Sequence, residues 1–225
     1  MNSSDIANFT IEKCFFSNLY FENTSNLANG NTIVNCIFRN MSNNYGVFGN
    51  YFVNNFISGQ VSDFNSNSIF ENNIFTYICS GCYYNSVLKC INNCLFENNI
   101  FVNSFASYQC IYQNNVFNNN INVPNGLFGY YQNNIGYNNY PAVNQGDIFI
   151  SYSGGGYSFS DNYHLKDPAN YIGNDGTQVG IYGGLFPWKE GSVPINPHII
   201  SKTIGNSSNQ NGDLPVNVTI KAQNN

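Results

Sequence analysis

The chain has 225 residues, of which only 8% are charged, while 42% are apolar and 16% aromatic. Asparagine supplies much of the polarity: 46 residues, about a fifth of the chain. The net charge is −5 and the seven cations are scattered, so the clustered Lys and Arg of a nucleic-acid-binding surface are missing. No apolar run approaches the roughly 18 residues of a membrane helix, so we expect no membrane insertion.

A composition rich in Asn and Tyr is also typical of disordered, aggregation-prone chains. The 19 Phe and 17 Tyr argue against disorder, because they recur at regular places beside the Asn. The regularity therefore favours a folded repeat protein.

A repeat of about 20 residues runs through the first 140 positions. Its anchor is a polar residue between large apolar ones, as Asn72 is in Phe-Glu-Asn-Asn-Ile-Phe, residues 70–75. β-favouring runs, frequent turn residues and the lack of a helical stripe exclude helical repeats. Coils of 15 to 26 residues, each pairing with the next, predict an all-β fold. We predict a single-stranded, right-handed parallel β-helix, a solenoid of about seven or more rungs, with an irregular C-terminal cap and a β-hairpin.

The anchor residues predict a structural ladder. Asn tolerates the left-handed backbone of a sharp corner, and stacked amides can donate to one neighbour and accept from the other. We assign both roles to one set of residues: Asn35, Asn50, Asn72, Asn98, Asn114 and Asn133. Lys13 takes the Asn position in the first rung, so the ladder is predicted to end there.

The repeat segments, such as residues 70–75, resemble those of secreted bacterial pectate-lyase-like β-helix repeat proteins. Residues 162–166, 175–184 and 194–199 resemble the passage that closes the helix in many of them. The resemblance covers roughly residues 10–200 and implies the β-helix fold and an extracellular or cell-surface location. It implies no single activity, because that superfamily holds lyases, hydrolases and adhesins. The first residues lack the basic and apolar regions of a signal peptide, so the protein is either intracellular or a mature or excised piece of an exported protein, and we favour the second.

Three parts are expected along the chain. Residues 1–140 hold the rungs, 141–200 the final irregular coils and a closing cap, and 201–225 a C-terminal hairpin extension or the start of a following domain. Strands at 198–204 and 214–220 flank a turn, and the alternation from Leu214 to Ile220 predicts one buried face. At the other end, residues 1–8, an upstream region or a second copy stacked end to end is expected to cover the first rung.

The seven cysteines leave three alternatives open: stacked thiols, disulfides and a zinc site. Cys14 aligns with Cys36 in successive rungs, and Cys94 with Cys110, so stacked thiols and disulfides both fit. A CxxC knuckle followed by two more thiols is also a zinc ligand set, formed here by Cys79, Cys82, Cys90 and Cys94. The irregular spacing of the second pair makes zinc the lesser alternative.

No catalytic constellation stands out, so we favour a protein that is not an enzyme and has no cofactor. A lyase needs a Lys or Arg base and a group that neutralises a uronate, often Ca²⁺, and no cation recurs beside acids on one face. Glu71 and Glu97 share a row position and could form a glycosidase pair, although solvated Glu is more common. His164, close in sequence to Asp161, suggests a metal or acid–base site or a structural histidine, and Trp188 could stack on a sugar ring.

We therefore expect a non-catalytic extracellular β-helix module with a structural, adhesive or glycan-contacting role. Its partner would be a glycan or another protein surface, with self-association through the N-terminal rung. The alternative is a fragment of a polysaccharide lyase or glycoside hydrolase that acts on an acidic polysaccharide. Ca²⁺ or Zn²⁺ is expected only under these lesser alternatives. An ice-binding solenoid would need regular ranks of Thr, which is too sparse here.

Overall fold

Short β-strands dominate the chain. The computed structural model describes residues 8–22, 29–44, 49–64, 67–77, 88–89, 91–103, 112–113, 116–118, 120–128, 133–189 and 197–221. Strands make up 43% and helices 4%, so the predicted all-β class is confirmed. The chain divides into a first unit, Met1–Pro187, and a second unit, Trp188–Asn225. None of the helices in the described ranges has the length and apolar character needed to cross a membrane.

The larger sheet of the first unit takes one short strand from each repeat. These strands are β1 (Thr10–Glu12), β3 (Thr32–Val34), β5 (Tyr51–Val53), β8 (Ile69–Glu71), β12 (Leu95–Glu97), β15 (Val116–Asn118) and β17 (Asn134–Tyr137). They pair in that order and all in parallel, with partners 18 to 26 residues apart, so the predicted period is confirmed. One antiparallel strand, β16 (Gly126–Phe128), closes the far edge against β17.

Between these strands the chain contributes to a second parallel sheet. Its members are β2 (Phe15–Glu22), β4 (Ile37–Asn44), β6 (Phe56–Ile57), β7 (Val61–Ser62), β9 (Ile74–Phe75), β10 (Leu88–Lys89) and β13 (Ile100–Phe101). The long strand β4 pairs with β2 along most of its length, and with β6 and then β7 on its other side. A separate parallel pair joins β11 (Ile91–Asn92) to β14 (Tyr112–Gln113). Each repeat thus pairs with its neighbours in the chain.

Two left-handed corners bound most strands of the larger sheet. The first corner lies two residues before the strand, or one residue before it in β17, and is Asn8, Gly30, Gly49, Asn67, Asn93 or Asn133. The second corner, directly after the strand, is Lys13, Asn35, Asn54, Asn72, Asn98 or Asn138. In each described repeat the two corners lie five residues apart, with φ between 50° and 71°. Asn and Gly fill every corner but one because they adopt positive φ at low cost.

The asparagine ladder lies one residue beyond the second corner. Its members are Asn55, Asn73, Asn99, Asn120 and Asn139, all buried. Typically, the backbone N–H and one amide hydrogen donate to the next Oδ1, at 2.8 to 3.2 Å, and the other amide hydrogen donates to a backbone carbonyl. Both hydrogens of the side-chain amide are thus bonded, and each Oδ1 within the ladder accepts two hydrogen bonds, as a buried amide requires.

The sequence predicted that one Asn in each repeat forms both the left-handed corner and the ladder. In the structure two consecutive residues share these roles: the first forms the corner and the next forms the ladder. Asn35, Asn72 and Asn98 are second-corner residues, and Asn133 is a first-corner residue. Asn50 is at neither corner: it is buried after Gly49, and its Oδ1 accepts from the backbone N–H of Asn31 at 3.0 Å. Asn114 lies outside the described residues. The alignment of repeats in the sequence differs from the register in the structure. The reason is that an Asn or an Asn pair recurs at both corners, five residues apart.

Stacked phenylalanines fill the space between the sheets. Phe52, Phe70 and Phe96 occupy one register row, with ring centroids 4.8 and 4.7 Å apart and nearly parallel planes. Phe75 and Phe101 form a second stack at 4.6 Å. Such rows follow from parallel in-register pairing, which places equivalent side chains above one another.

Residues 141–187 pack along the repeats. They include α1 (Gln145–Ile148), β18 (Phe149–Ser151), β19 (Asn162–Leu165) and a 3-10 turn (Pro168–Asn170). The Tyr163 ring lies 4.8 Å from that of Phe56, and Asn54 Nδ2 donates to the carbonyls of Ile181 and Gly183. This segment, for which the sequence predicts final coils and a closing cap, reaches back to the third repeat.

A physical reason for this path is the apolar row on the outer face of the second sheet. Phe56, Ile74 and Ile100 point away from the main core cluster, yet all three are buried. Gly180 sits so close that a β-carbon there would lie 2.4 Å from Ile100 Cδ1. The returning segment thus buries a row that the sheet alone would leave in solvent.

The second unit contains an antiparallel hairpin of β20 (His198–Ile204) and β21 (Val216–Lys221). The two predicted strands are confirmed, but the predicted buried face is wrong. Leu214, Val216, Val218 and Ile220 are 44% to 63% exposed. A two-stranded sheet has no second layer of its own against which to bury an apolar face.

Candidate functional site

A row of acidic and amide side chains lies on the outside of the larger sheet and is joined by hydrogen bonds. Glu71 and Glu97 are paired in parallel register, as their shared sequence position predicted. Both point away from the phenylalanine core because side chains alternate along a strand. The Tyr51 hydroxyl donates a hydrogen bond to Glu71 Oε2. We call Tyr51, Glu71, Glu97, Asn174 and Asp175 the acidic row.

Asn174 joins this row from a distant part of the chain. Its Nδ2 donates to Glu97 Oε1 at 2.9 Å, and its Oδ1 accepts from Asn98 Nδ2 at 2.8 Å. Its backbone N–H donates to Asn98 Oδ1 at 3.0 Å. The second corner of the repeat therefore holds the loop that carries Asn174, and this loop fixes the Glu97 carboxylate.

Asp175 follows in a tight turn. Its Oδ1 accepts from both the backbone N–H and the hydroxyl of Thr177, each at 2.9 Å, and Gly176 has a φ of 78°. Asp-Gly is a typical turn pair, since Asp accepts from the backbone two residues on and Gly adopts positive φ. The turn directs a third carboxylate towards Glu71, close enough to affect its ionisation.

Burial and neighbouring charge both act on Glu71. Desolvation raises the pKa of its carboxyl, the Tyr51 hydroxyl opposes the rise, and the negative charges of Glu97 and Asp175 add to it. Burial also raises the pKa of Tyr51, so the phenol stays protonated and remains a donor. The charged groups that act on Glu71 are therefore acids, whereas a lyase base would be a Lys or Arg in this position.

The acidic row can accept and donate hydrogen bonds in fixed directions. Strands in a sheet are about 4.8 Å apart, so the two Glu side chains lie side by side at roughly that spacing. Carboxylates accept, the Asn amide does both, and the Tyr ring offers an apolar face. This combination suits a ligand with many hydroxyl groups.

His164 lies in β19 and is half-buried. Its ring stacks on that of Tyr182, with centroids 3.8 Å apart and planes 13° from parallel. Asp161, its neighbour in sequence, instead accepts hydrogen bonds from Ser153. The stacking favours the structural alternative for this histidine.

The candidate zinc ligands are only partly described. Cys79, Cys82 and Cys90 lie outside the described residues. Cys94 is buried in the first unit, where burial raises the pKa of its thiol to about 12. Among the described residues no three His, Cys, Asp or Glu side chains are grouped so that they could hold a metal. Zinc at the four cysteines stays a prediction.

Trp188 opens the second unit and is half-buried. Its proposed contact with a sugar ring stays a prediction. A surface cavity of about 470 Å³ lies in the first unit beside α1 and β18. Lys166 lines it, but its Nζ donates to the carbonyl of Gly146 at 2.6 Å, so this cation is bound to the backbone.

Sequence reasoning identified the two Glu but missed Tyr51, Asn174 and their hydrogen bonds. The Asn174–Glu97 contact joins residues 77 positions apart, and no sequence period links them. The position of Tyr51 could have been found from the sequence. When the repeats are aligned on the second corner, Tyr51 pairs with Ile69, which is two residues before Glu71.

Comparisons with protein-family models, with curated proteins and with solved structures gave no match.

Proposed function

We propose that this chain is a right-handed parallel β-helix of the secreted bacterial, pectate-lyase-like kind. Two observations support this architecture. Equivalent strands of successive repeats pair in parallel in two sheets, and left-handed corners recur at a fixed place in each repeat. The buried ladder and stacked Phe rows have the one-dimensional character of repeat proteins, in which each unit contacts only its neighbours.

The function that we propose is glycan contact by an extracellular, non-catalytic module. The observation that carries it is the acidic row, in which Tyr51, Glu71, Glu97 and Asn174 are held by mutual hydrogen bonds on an outer face. Sugar hydroxyls donate to carboxylates and accept from amides, and fixed side chains lose little entropy on binding. Because the row is acidic, neutral or amine-bearing glycans are the expected ligands, and uronate polymers would be repelled.

A binding screen against immobilised polysaccharides tests this function. The intact chain should bind neutral or amine-bearing glycans, and the double variant Glu71→Gln, Glu97→Gln should bind about tenfold more weakly, because two charged acceptors are lost. Glu12→Gln is the matched control, since Glu12 occupies the same register row in β1 and is exposed. Equal binding by the wild type and the double variant, or binding of no glycan, would contradict the proposal.

A glycoside hydrolase fragment is the second candidate. The raised pKa of Glu71 beside Glu97 is the observation that favours it, because a retaining glycosidase uses a protonated and an ionised carboxyl about 5 to 5.5 Å apart. Release of reducing ends from a bound polysaccharide, abolished by Glu71→Gln, would establish hydrolysis. A lyase would instead produce unsaturated uronates, seen as ultraviolet absorbance.

Self-association through the N-terminal repeat is part of the proposal. Among the described strands, β1 pairs with β3 alone and β2 with β4 alone. Phe9, Ile11, Phe16 and Leu19 are only partly buried, whereas Ile33 and Phe38 in the next repeat are fully buried. Edge pairing with a second copy would cover both the strands and these side chains. Light scattering after size exclusion should show a dimer, and a strictly monomeric species at all concentrations would overturn this part.

A further inference from the structure

Two thiols occupy the ladder position of the first two repeats. Cys14 follows the corner at Lys13, and Cys36 follows the corner at Asn35. The flanking residues are in parallel register, Glu12 with Val34 and Phe15 with Ile37. The backbone N–H of Ile37 donates to the Cys14 carbonyl at 2.9 Å. Cys14 and Cys36 are therefore direct cross-strand neighbours.

This placement matches the geometry of a disulfide. Adjacent strands are about 4.8 Å apart, within the roughly 4.4 to 6.8 Å that separates the α-carbons of bonded cysteines. Cys36 also interacts with the side chain of Cys14. Both residues are present as thiols. At this general strand spacing, a rotation of the two side chains would bring the sulfur atoms together.

The two thiols differ in their access to solvent. Cys14 is exposed, whereas Cys36 is fully buried and its thiol donates to the carbonyls of Val34 and Ile11. Burial raises the pKa of the Cys36 thiol to about 11, which keeps it protonated at neutral pH. A soluble oxidant would therefore react first with Cys14.

We propose that Cys14 and Cys36 are an oxidation site that forms a disulfide with a low-molecular-weight disulfide as the oxidant. The Cys14 thiolate attacks one sulfur of the oxidant, which breaks its S–S bond, releases one thiolate and leaves a mixed disulfide on Cys14. Cys36 then loses its proton and attacks the Cys14 sulfur, which releases the second small thiol. The protein loses two hydrogens, and the oxidant is reduced to two thiols.

The bond would fasten the outermost repeat to the second. It would close a loop of about 20 residues and tie β1 and β2, the strands at the edge, to β3 and β4. Such a loop restricts the unfolded chain and so stabilises the folded one. An exported protein would carry this bond, because the extracellular compartment is oxidising, and a reduced pair would indicate a reducing location.

Oxidised glutathione and the full chain provide the test. After incubation, intact mass and peptide mapping with alkylation should show a peptide that joins Cys14 to Cys36. The melting temperature should rise by about 5 °C and return to its reduced value with dithiothreitol. Disulfide formation between copies, pairing with another cysteine, or a stable glutathione adduct on wild-type Cys14 would overturn the proposal.

Two single variants separate the steps. In Cys36→Ser, glutathione should remain on Cys14, because no second thiol displaces it. In Cys14→Ser, the buried Cys36 should stay unmodified over the same time. Neither variant should show the oxidant-dependent rise in melting temperature. A rise in either one would show that another bond causes the stabilisation.

Discussion

The two ends of the asparagine ladder are closed by different chemistry. At the C-terminal end, Asn139 donates its backbone N–H to Asn125 Oδ1 at 2.8 Å and an amide hydrogen to the Pro124 carbonyl at 3.1 Å. At the N-terminal end, the backbone N–H of Cys36 donates to Asn55 Oδ1, and the next residue outward is the thiol of Cys14. An amide ladder must end where its last donors and acceptors find partners. At the C-terminal end a local loop supplies these partners. At the N-terminal end the ladder passes into thiols, which need few hydrogen bonds.

Removal of a central amide should have the largest effect. In Asn73→Ala, the N–H and Nδ2 of Asn55 lose their acceptor and the Phe52 carbonyl loses a donor. The loss of these three buried hydrogen bonds should lower the free energy of unfolding by about 3 kcal/mol or more. Urea unfolding measures it. Asn144→Ala, at an exposed residue, is the control and should change stability by less than about 0.5 kcal/mol. Equal effects would mean that the ladder contributes no special stability.

The closed end can be broken at Gly136. This glycine occupies the register row of the stacked phenylalanines, and a β-carbon there would lie 2.0 Å from the Pro124 carbonyl oxygen. Gly136→Ala should therefore push the closing loop away and cost about 2 kcal/mol of unfolding free energy. Gly146→Ala, where nothing lies within 4 Å of the added carbon, should be neutral or slightly stabilising. A neutral Gly136→Ala would mean that the loop moves freely.

The asparagine ladder can be extended at its N-terminal end with Cys36→Asn. The Cys36 thiol already points at the Ile11 carbonyl, which is the acceptor that an amide at this position would use. The new Nδ2 should donate to this carbonyl and to Asn55 Oδ1, as ladder residues do. We expect a gain of about 1 kcal/mol in thermal or urea unfolding. A loss of stability would mean that the first repeat cannot take an amide.

The smallest effect is expected at Lys13. It is the only described second-corner residue other than Asn, with a φ of 54°. Asn tolerates this conformation better than Lys, so Lys13→Asn should stabilise the chain by about 0.5 kcal/mol. Differential scanning calorimetry with Lys202→Asn, at an exposed strand residue of the second unit, as control would measure it. A destabilised Lys13→Asn would show that the second corner of the first repeat depends on the lysine side chain.

The sequence predicted the strands, the period and the need for left-handed Asn, because each follows from local chemistry repeated many times. It misplaced Asn50, since Asn and large apolar residues surround both corners and the pattern alone does not distinguish them. The path of residues 141–187 has no period, so their packing on Phe56 and Asn54 depends on tertiary contacts that no local rule contains. The partners of Glu97 in the candidate site were missed for the same reason.

The constant spacing between corners divides each repeat into a part of fixed length and a part of variable length. In the described repeats the second corner follows the first by five residues, as Asn35 follows Gly30 and Asn72 follows Asn67, whereas 13 to 21 residues lead from a second corner to the first corner of the next repeat where both are described. Insertions and deletions can therefore accumulate in the longer part without shifting the buried ladder. New surface loops could arise there, one repeat at a time, while the interior keeps its register.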